Sequence, residues 1–243
     1  MKINTIANII VAIVLLTVPA FGFKFYPISV DFAPQGQESV QNFTAVNDSS
    51  ETIALIVSVH GRSMGTDGTE ILEPADGDFV VFPARMVLKP EARQTIRVQY
   101  KGEDPGKLEK AYRIIVEQVP VQFEDVQASG GLRILFRYIG SMYIVPGNLE
   151  TTAALTAVSA DDSQENDSLK IELTNTGTSH VILQDLALTL TAGDISVVLE
   201  KDQLSDISGS NLLAGSRRIF DIPRPESLGP GDIQGEITFT PMR

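Results

Sequence analysis

Cysteine and tryptophan are absent from this chain of 243 residues, and only two histidines, His60 and His180, are present. Without cysteine the protein has no disulfide, no thiolate metal ligand and no cysteine nucleophile. Two histidines leave little for acid–base or metal chemistry. Basic residues number 19 and acidic residues 31, so the net charge is −12, and a field of that sign repels nucleic acid. The sequence therefore predicts that the protein is not an enzyme, uses no cofactor or metal and has no nucleic-acid partner.

Residues 1–22 have the features of a secretory signal peptide. One positive side chain precedes an apolar run over Ile9–Val18, and small residues allow cleavage after Ala20 or Gly22. The alternative is a membrane anchor, but spanning a bilayer takes about 20 apolar residues, and this run is shorter and ends at Pro19. We therefore expect an exported protein with no membrane insertion after signal cleavage.

From residue 23 onward, short apolar runs of period two alternate with turns rich in Gly, Pro, Asn and Asp, which predicts an all-β protein. Seven candidate strands before residue 146 fit an immunoglobulin-like sandwich. Pro146-Gly147-Asn148 breaks the pattern and predicts a hinge, because proline cannot continue a strand ladder. We therefore expect two consecutive immunoglobulin-like β-sandwich domains, over residues 23–146 and 149–243. The candidate strands are Lys24–Phe32, Val40–Asn47, Thr52–His60, Phe79–Phe82, Gln94–Tyr100, Ala111–Val119 and Leu132–Val145, then Ala153–Val158, Leu169–Thr174, Val181–Leu190, Ile195–Leu199, Arg217–Ile222 and Ile233–Thr240.

The candidate strand over Leu132–Val145 is longer than the usual five or six residues. In its first part, one face is apolar and the other carries two arginines. Two interpretations stay open. The apolar face belongs to the protein's own core, or the strand and the polar loop before it form an edge that is offered to a partner by β-strand addition. The residues of the apolar face are Leu132, Ile134, Phe136 and Tyr138.

Five features follow one another along the mature chain. They are the signal peptide followed by Phe25-Tyr26-Pro27-Ile28-Ser29; Phe82-Pro83 followed by Leu88-Lys89-Pro90 and Gln94-Thr95-Ile96-Arg97-Val98; Tyr112-Arg113-Ile114 running to Val119-Pro120; the alternating strand that closes at Pro146; and Leu173-Thr174-Asn175-Thr176-Gly177. Together they resemble the periplasmic pilus (fimbrial) assembly chaperones of the chaperone–usher pathway. The Tyr-Pro-Ile opening and the Tyr-Arg-Ile segment look most like the alternate and archaic branches.

This resemblance implies two immunoglobulin-like domains set at an angle and a mechanism called donor-strand complementation. A pilus subunit is an incomplete sandwich with an open apolar groove, and the last strand of the chaperone's first domain fills that groove. The groove-filling side chains would be Leu132, Ile134 and Phe136, with Tyr138 next on the same face. The implied partners are pilus subunits (pilins) and an outer-membrane usher to which they are delivered, and the implied location is the periplasm. Whether the free protein caps its own donor strand as a homodimer stays open.

In the best-known members of this family, an arginine in the first strand and a lysine in the last strand hold the subunit's terminal carboxylate. The corresponding places fall near Asp31 and on Ser141, and neither is basic. Because a forked guanidinium suits a carboxylate in a partly buried cleft, Arg113 and Arg97 are the candidate anchors. For each, the alternative is a surface cation on a polar strand face. The alternative function is an exported immunoglobulin-like adhesin or structural pilus component, which should lack the long alternating strand in mid-chain.

Overall fold

A computed structural model describes residues 22–120, 134–160, 167–229 and 231–243. These residues form two sandwiches of two sheets each, and each sandwich encloses its own cluster of buried apolar side chains. The predicted all-β class with two sandwiches is confirmed. The strands are β1 Phe23–Tyr26, β2 Ser29–Phe32, β3 Val40–Asn47, β4 Ile53–Met64, β5 Glu70–Pro74, β6 Phe79–Phe82, β7 Arg85–Leu88, β8 Arg93–Tyr100, β9 Lys110–Val119, β10 Arg137–Ile144, β11 Ala153–Ala160, β12 Ser168–Asn175, β13 Val181–Ala192, β14 Ile195–Leu199, β15 Asn211–Leu212, β16 Arg217–Pro223 and β17 Gln234–Met242, and the short 3₁₀ helices are Gln37–Ser39 and Lys201–Gln203.

The first sandwich packs a four-stranded sheet against a six-stranded sheet. The four-stranded sheet has the order β1-β3-β8-β6, and in the six-stranded sheet β2, β10, β9, β4 and β5 follow one another while β7 also pairs with β4. In β8 the side chains alternate between solvent and core, and Ile96, Val98 and Tyr100 are buried. Apolar residues of period two produce this arrangement, because successive side chains of a strand point to opposite faces.

The strand predicted over Lys24–Phe32 is wrong in one respect, because the chain changes sheets in its middle. β1 pairs antiparallel with β3, whereas β2 pairs parallel with β10 in the other sheet. Pro27 lies between the two segments and has no N–H group to donate, so a ladder cannot continue through it. As a result, only Ser29–Phe32 pair with β10.

The second sandwich packs β11-β12-β16 against a sheet in which β14, β13 and β15 follow one another and β17 also pairs with β13. β12 alternates strictly, and its Leu169, Ile171 and Leu173 are fully buried. β11 and β12 are antiparallel neighbours. Between them, residues 161–166 lie outside the described residues.

β4 and β5 form a hairpin that extends from the first sandwich to the second. β4 continues to Met64, beyond its predicted end at His60, and the pattern of the sequence does not predict β5. At the tip of the hairpin, the N–H of Ile219 donates to the carbonyl oxygen of Thr66 over 2.7 Å. Gly68 has φ of +85°, and a Cβ atom there would clash with the guanidinium of Arg218, so the turn requires glycine.

The predicted hinge at Pro146-Gly147-Asn148 lies between the end of β10 and the start of β11. The predicted signal peptide lies, except for Gly22, outside the described residues and stays a prediction. Within the described ranges, no helix has the length and apolar character needed to cross a membrane.

Candidate functional site

One edge of β10 has no partner strand among the described residues over the first half of the strand. β9 pairs with β10 along its whole length, from Arg137 to Ile144. On the other side, pairing with β2 begins only at Ser141, whose N–H donates to the carbonyl oxygen of Ile28 over 2.8 Å. Among the described residues, Arg137–Gly140 therefore have a ladder on one side alone. Such an edge is a template for an added strand.

The four residues of the predicted donor face differ in their exposure and contacts. Leu132 lies outside the described residues. Ile134 is 56% exposed, and Phe136 is half-buried with its ring against Gly22. Tyr138 packs on the first core, where its ring meets that of Phe23 edge-on at 4.9 Å. Its hydroxyl donates to the carbonyl oxygen of Phe23 over 2.7 Å.

The period of the strand explains this gradation. Every second residue of β10 faces the core of the first sandwich, from Tyr138 to the fully buried Met142 and Ile144. Ile134 and Phe136 have the same parity but precede β10, which begins at Arg137 and not at the predicted Leu132. The carbonyl oxygen of Phe136 still accepts a hydrogen bond from the N–H of Gln118 over 2.9 Å. Apolar side chains that lie beyond the end of the sandwich core are not covered by that core and are accessible to a binding partner. In the free chain, Phe136 and Tyr138 therefore both pack on the protein's own core, whereas Ile134 is exposed, and a donor role for this face stays a prediction.

Arg113 of β9 lies beside Ser141, its register partner on β10. Nη1 of Arg113 is 2.5 Å from Oγ of Ser141, to which it donates. The rest of the guanidinium faces Glu70 of β5: Nε donates to Oε2 over 3.2 Å, and Nη2 donates to Oε1. This two-pronged contact is the geometry in which a guanidinium holds a carboxylate best. It lies at the point where the free edge of β10 ends.

A second arginine completes the cluster. Nη2 of Arg62, on β4, lies 2.5 Å from Oε1 of Glu70. The side chain of Arg62 is 4% exposed, that of Arg113 16% and that of Glu70 31%. Burial acts to raise the pKa of Glu70, but the hydrogen bonds and charges of Arg113 and Arg62 outweigh it, so the pKa lies below its ordinary value. The cluster is therefore fully charged at neutral pH and carries a net charge of about +1.

Tyr143 connects this cluster to the second sandwich. Its hydroxyl accepts hydrogen bonds from Arg62 over 3.3 Å and from the side-chain amide of Asn211 over 3.4 Å. Its ring stacks on the imidazole of His180, with centroids 3.9 Å apart. His180 in turn binds Glu109 of the first sandwich through its N–H, over 3.1 Å, and through Nδ1, at 2.7 Å from Oε1.

Glu109 and Asp31 share an arginine from the second sandwich. Arg243 donates from Nη2 to Oε2 of Glu109 over 3.0 Å, and from Nη1 to Oδ2 of Asp31 over 2.8 Å. The side chain of Glu109 is 1% exposed. Burial acts to raise the pKa of Glu109, but His180 and Arg243 outweigh it and the pKa lies below its ordinary value. Asp31, near the place where an anchoring arginine was expected, therefore contributes to the contact between the sandwiches.

The second candidate anchor, Arg97, is not brought to this cluster. Arg97 is exposed on the outer face of β8, in the four-stranded sheet, where its register partners are Asn42 and Phe82. Arg113 belongs to the six-stranded sheet. The two candidate anchors therefore lie in different sheets, and of the two only Arg113 lies at the end of the free edge of β10. Sequence reasoning missed Arg62 and Glu70, because they come from a hairpin whose second strand has no alternating pattern.

The described residues support neither of two further kinds of site, a hydrolase nucleophile and a metal site. Gly61-Arg62-Ser63-Met64-Gly65 has the Gly-x-Ser-x-Gly spacing of a hydrolase nucleophile, which requires a sharp turn between a strand and a helix. Here Ser63 lies within β4 and pairs with Ile71 of β5, so that context is missing. In the described part of the chain, no cluster of three or more acidic or histidine side chains could hold a metal ion.

Together, two immunoglobulin-like sandwiches, a half-unpaired edge strand and a basic cluster at its inner end define a strand-pairing binding protein. A sequence profile of the family described as pili and flagellar-assembly chaperones, PapD N-terminal domain, matches residues 29–150. The chain belongs to this family, whose role is that of a chaperone and not a catalytic one. Pilus-assembly chaperones are periplasmic proteins. No curated protein sequence matches the chain.

Solved structures of fimbrial chaperones share the fold. The chaperone–tip adhesion subunit complex CsuC–CsuE, from archaic chaperone–usher Csu pili of Acinetobacter baumannii, matches with a TM-score of 0.60 and 15% identity, over 88% of this chain and 91% of that one. The class 5 fimbriae chaperone CfaA matches with a TM-score of 0.57 and 18% identity, over 90% and 98%. The Salmonella enterica SafA pilin–SafB chaperone complex matches with a TM-score of 0.52 and 14% identity, over 85% and 86%.

Proposed function

We propose that this chaperone caps pilus subunits by donor-strand complementation. Leu132, Ile134 and Phe136 enter the open groove of a subunit while the backbone of β10 pairs with it. The observation that carries this proposal is the unpaired edge over Arg137–Gly140, which continues into the exposed Ile134. Main-chain pairing supplies affinity, and side chains of period two set the register. Tyr138 is left to its own core.

The subunit's terminal carboxylate binds at Arg113, with Ser141 and Arg62 beside it. Support comes from the position of this cluster, where pairing with β2 closes the free edge, and from its low exposure. A carboxylate in such a place needs a paired charge and hydrogen bonds. Ser141 alone offers a neutral hydroxyl, whereas Arg113 beside it offers a forked donor set.

Two domains, over residues 23–146 and 149–243, carry the site, and the protein works in the periplasm after removal of its signal peptide. It delivers the subunit to an outer-membrane usher. In the absence of a subunit, the same free edge is available to a second copy of the chain, so a self-capped homodimer is the resting form to look for. Size-exclusion chromatography of the free protein and of the complex distinguishes a one-to-one complex from a dimer.

A matched pair of arginine variants tests the anchor. The tagged chain captures its subunit in the periplasm, the subunit is identified by mass spectrometry, and its affinity is then measured for Arg113→Ala and Arg97→Ala. Both changes remove one guanidinium from a strand of the first sandwich, but only Arg113 lies at the free edge. We expect at least about tenfold weaker binding for Arg113→Ala, as for loss of a charge-assisted hydrogen bond, and no change for Arg97→Ala. Equal affinities for both variants would contradict the anchor.

A further inference from the structure

Glu70 holds the position that the proposed anchor offers to a subunit. It binds both arginines of the cluster through one carboxylate, which has the same two oxygens as a chain terminus. Arg113 contacts both of these oxygens, and Arg62 contacts Oε1. The two prongs of Arg113 cannot serve two carboxylates at once, so Glu70 and a subunit terminus exclude each other there.

Of the three side chains in the cluster, that of Glu70 can most readily move away from its partners into solvent. It is the most exposed of the three side chains and is carried by β5, the edge strand of the six-stranded sheet. Arg62 is held by Tyr143, and Arg113 is held by Ser141, so both keep a partner when the carboxylate moves away. A glutamate side chain has several rotatable bonds, and rotation about them carries its carboxylate to solvent without any change of backbone.

We propose that Glu70 is a built-in competitor that occupies the carboxylate site of the free chaperone and is displaced by the terminus of the subunit. This inference rests on the proposed function. In the free protein, Glu70 offsets one of the two positive charges and orients both guanidiniums. When a subunit is captured, its terminal carboxylate must displace Glu70 from the two arginines. A strand whose terminus does not reach the cluster cannot displace Glu70 and gains no binding energy from these arginines. Glu70 thereby lowers the affinity for a carboxylate terminus and leaves the affinity for a strand without such a terminus unchanged, and it keeps both guanidiniums paired until a subunit is captured.

The test compares Glu70→Gln with Glu73→Gln. Both variants replace a carboxylate on β5 by an amide, but Glu73 is exposed on the opposite face of the strand, paired in register with Gly61. The probe is the subunit captured by the chaperone, prepared once with a free terminal carboxylate and once with a terminal amide. We expect Glu70→Gln to bind the free acid about fivefold more tightly than the wild type, the upper range for a partly exposed ion pair. The amide should bind all three proteins equally.

The outcomes separate this inference from the proposed function. If the wild type prefers the free acid but Glu70→Gln binds it no more tightly, Glu70 only positions the arginines and the inference is wrong. If the wild type binds acid and amide equally, no carboxylate anchor exists, and both the anchor and the competitor are wrong. Glu70→Asp serves as a second variant, because it keeps the charge but is too short for the same contacts. It should resemble Glu70→Gln, and wild-type affinity would contradict the inference.

Discussion

Shortening Ile134 to alanine tests the donor strand without adding a charge. Ile134 is 56% exposed in the free chain, so about half of its surface is left for a partner to bury. Complete burial of an isoleucine side chain contributes about 1.5–3 kcal/mol, and the exposed share therefore amounts to about 0.8–1.7 kcal/mol. Since about 1.4 kcal/mol corresponds to a factor of ten, we expect about 4- to 17-fold weaker subunit binding.

The assay is a pair of measurements on each variant: the dissociation constant of the subunit complex by calorimetry, and the urea concentration at which the free chain unfolds. Ile195→Ala is the matched control, because Ile195 is 46% exposed on β14 of the second sandwich. Ile134→Ala should lose affinity and keep its unfolding midpoint, whereas the control should change neither. Unchanged affinity would show that Ile134 stays outside the groove. A lower unfolding midpoint would assign it to the protein's own core.

Three further outcomes follow from the contacts of the free chain. Tyr138→Phe should lower the free energy of unfolding by about 1 kcal/mol, because only the hydrogen bond to Phe23 is lost; subunit affinity should not change, and a large loss of affinity would return Tyr138 to the donor set. Asn47→Ala should cost about 3 kcal/mol in urea unfolding, since the fully buried Nδ2 group serves three carbonyl oxygens, whereas Asn42→Ala on the exposed face of β3 should stay within about 0.5 kcal/mol. The pKa of Glu109 is held below its ordinary value of 4.5, so its contribution is complete above that pH and is lost as the pH falls further. The thermal midpoint of the wild type should therefore approach that of Glu109→Gln under acid, and a constant gap from pH 7 to pH 3 would contradict this.

The alternation of apolar and polar residues correctly predicted strands whose buried positions depend on their own sequence alone. In β8 and β12, the buried residues lie at the positions that alternation predicts, and all of them except Asn175 are apolar or aromatic, because a strand that covers a core can do so only with every second residue. The same rule explains the limits of the prediction. Within Lys24–Phe32 the apolar core positions change from Phe25, an odd position, to Val30 and Phe32, which are even, and Pro27 lies at the change. Both features mark the crossing between two sheets, but the prediction placed a single strand across them.

The basic cluster could be predicted only in part. The family-like motif around Arg113 identified one of its members. Glu70 lies 43 residues away in sequence and approaches Arg113 from β5, which pairs with the side of β4 opposite to β9. No periodicity encodes that approach, because it requires the pairing of β5 with β4. Arg97 was the second candidate beside Arg113, since a polar strand face does not tell to which of two sheets it belongs.

The cluster and the contact between the sandwiches share residues, and this has a consequence for capture. Arg62 binds Glu70 on one side and Tyr143 on the other, and Tyr143 contacts Asn211 and the ring of His180 in the second sandwich. Any movement of the second sandwich away from Tyr143 would remove partners from the hydroxyl that holds Arg62. A buried guanidinium that loses its hydrogen bonds is costly, so the cluster favours one relative placement of the two sandwiches. The second sandwich thereby stabilises the position of Arg62 at the end of the free edge, although the proposed donor strand belongs to the first sandwich.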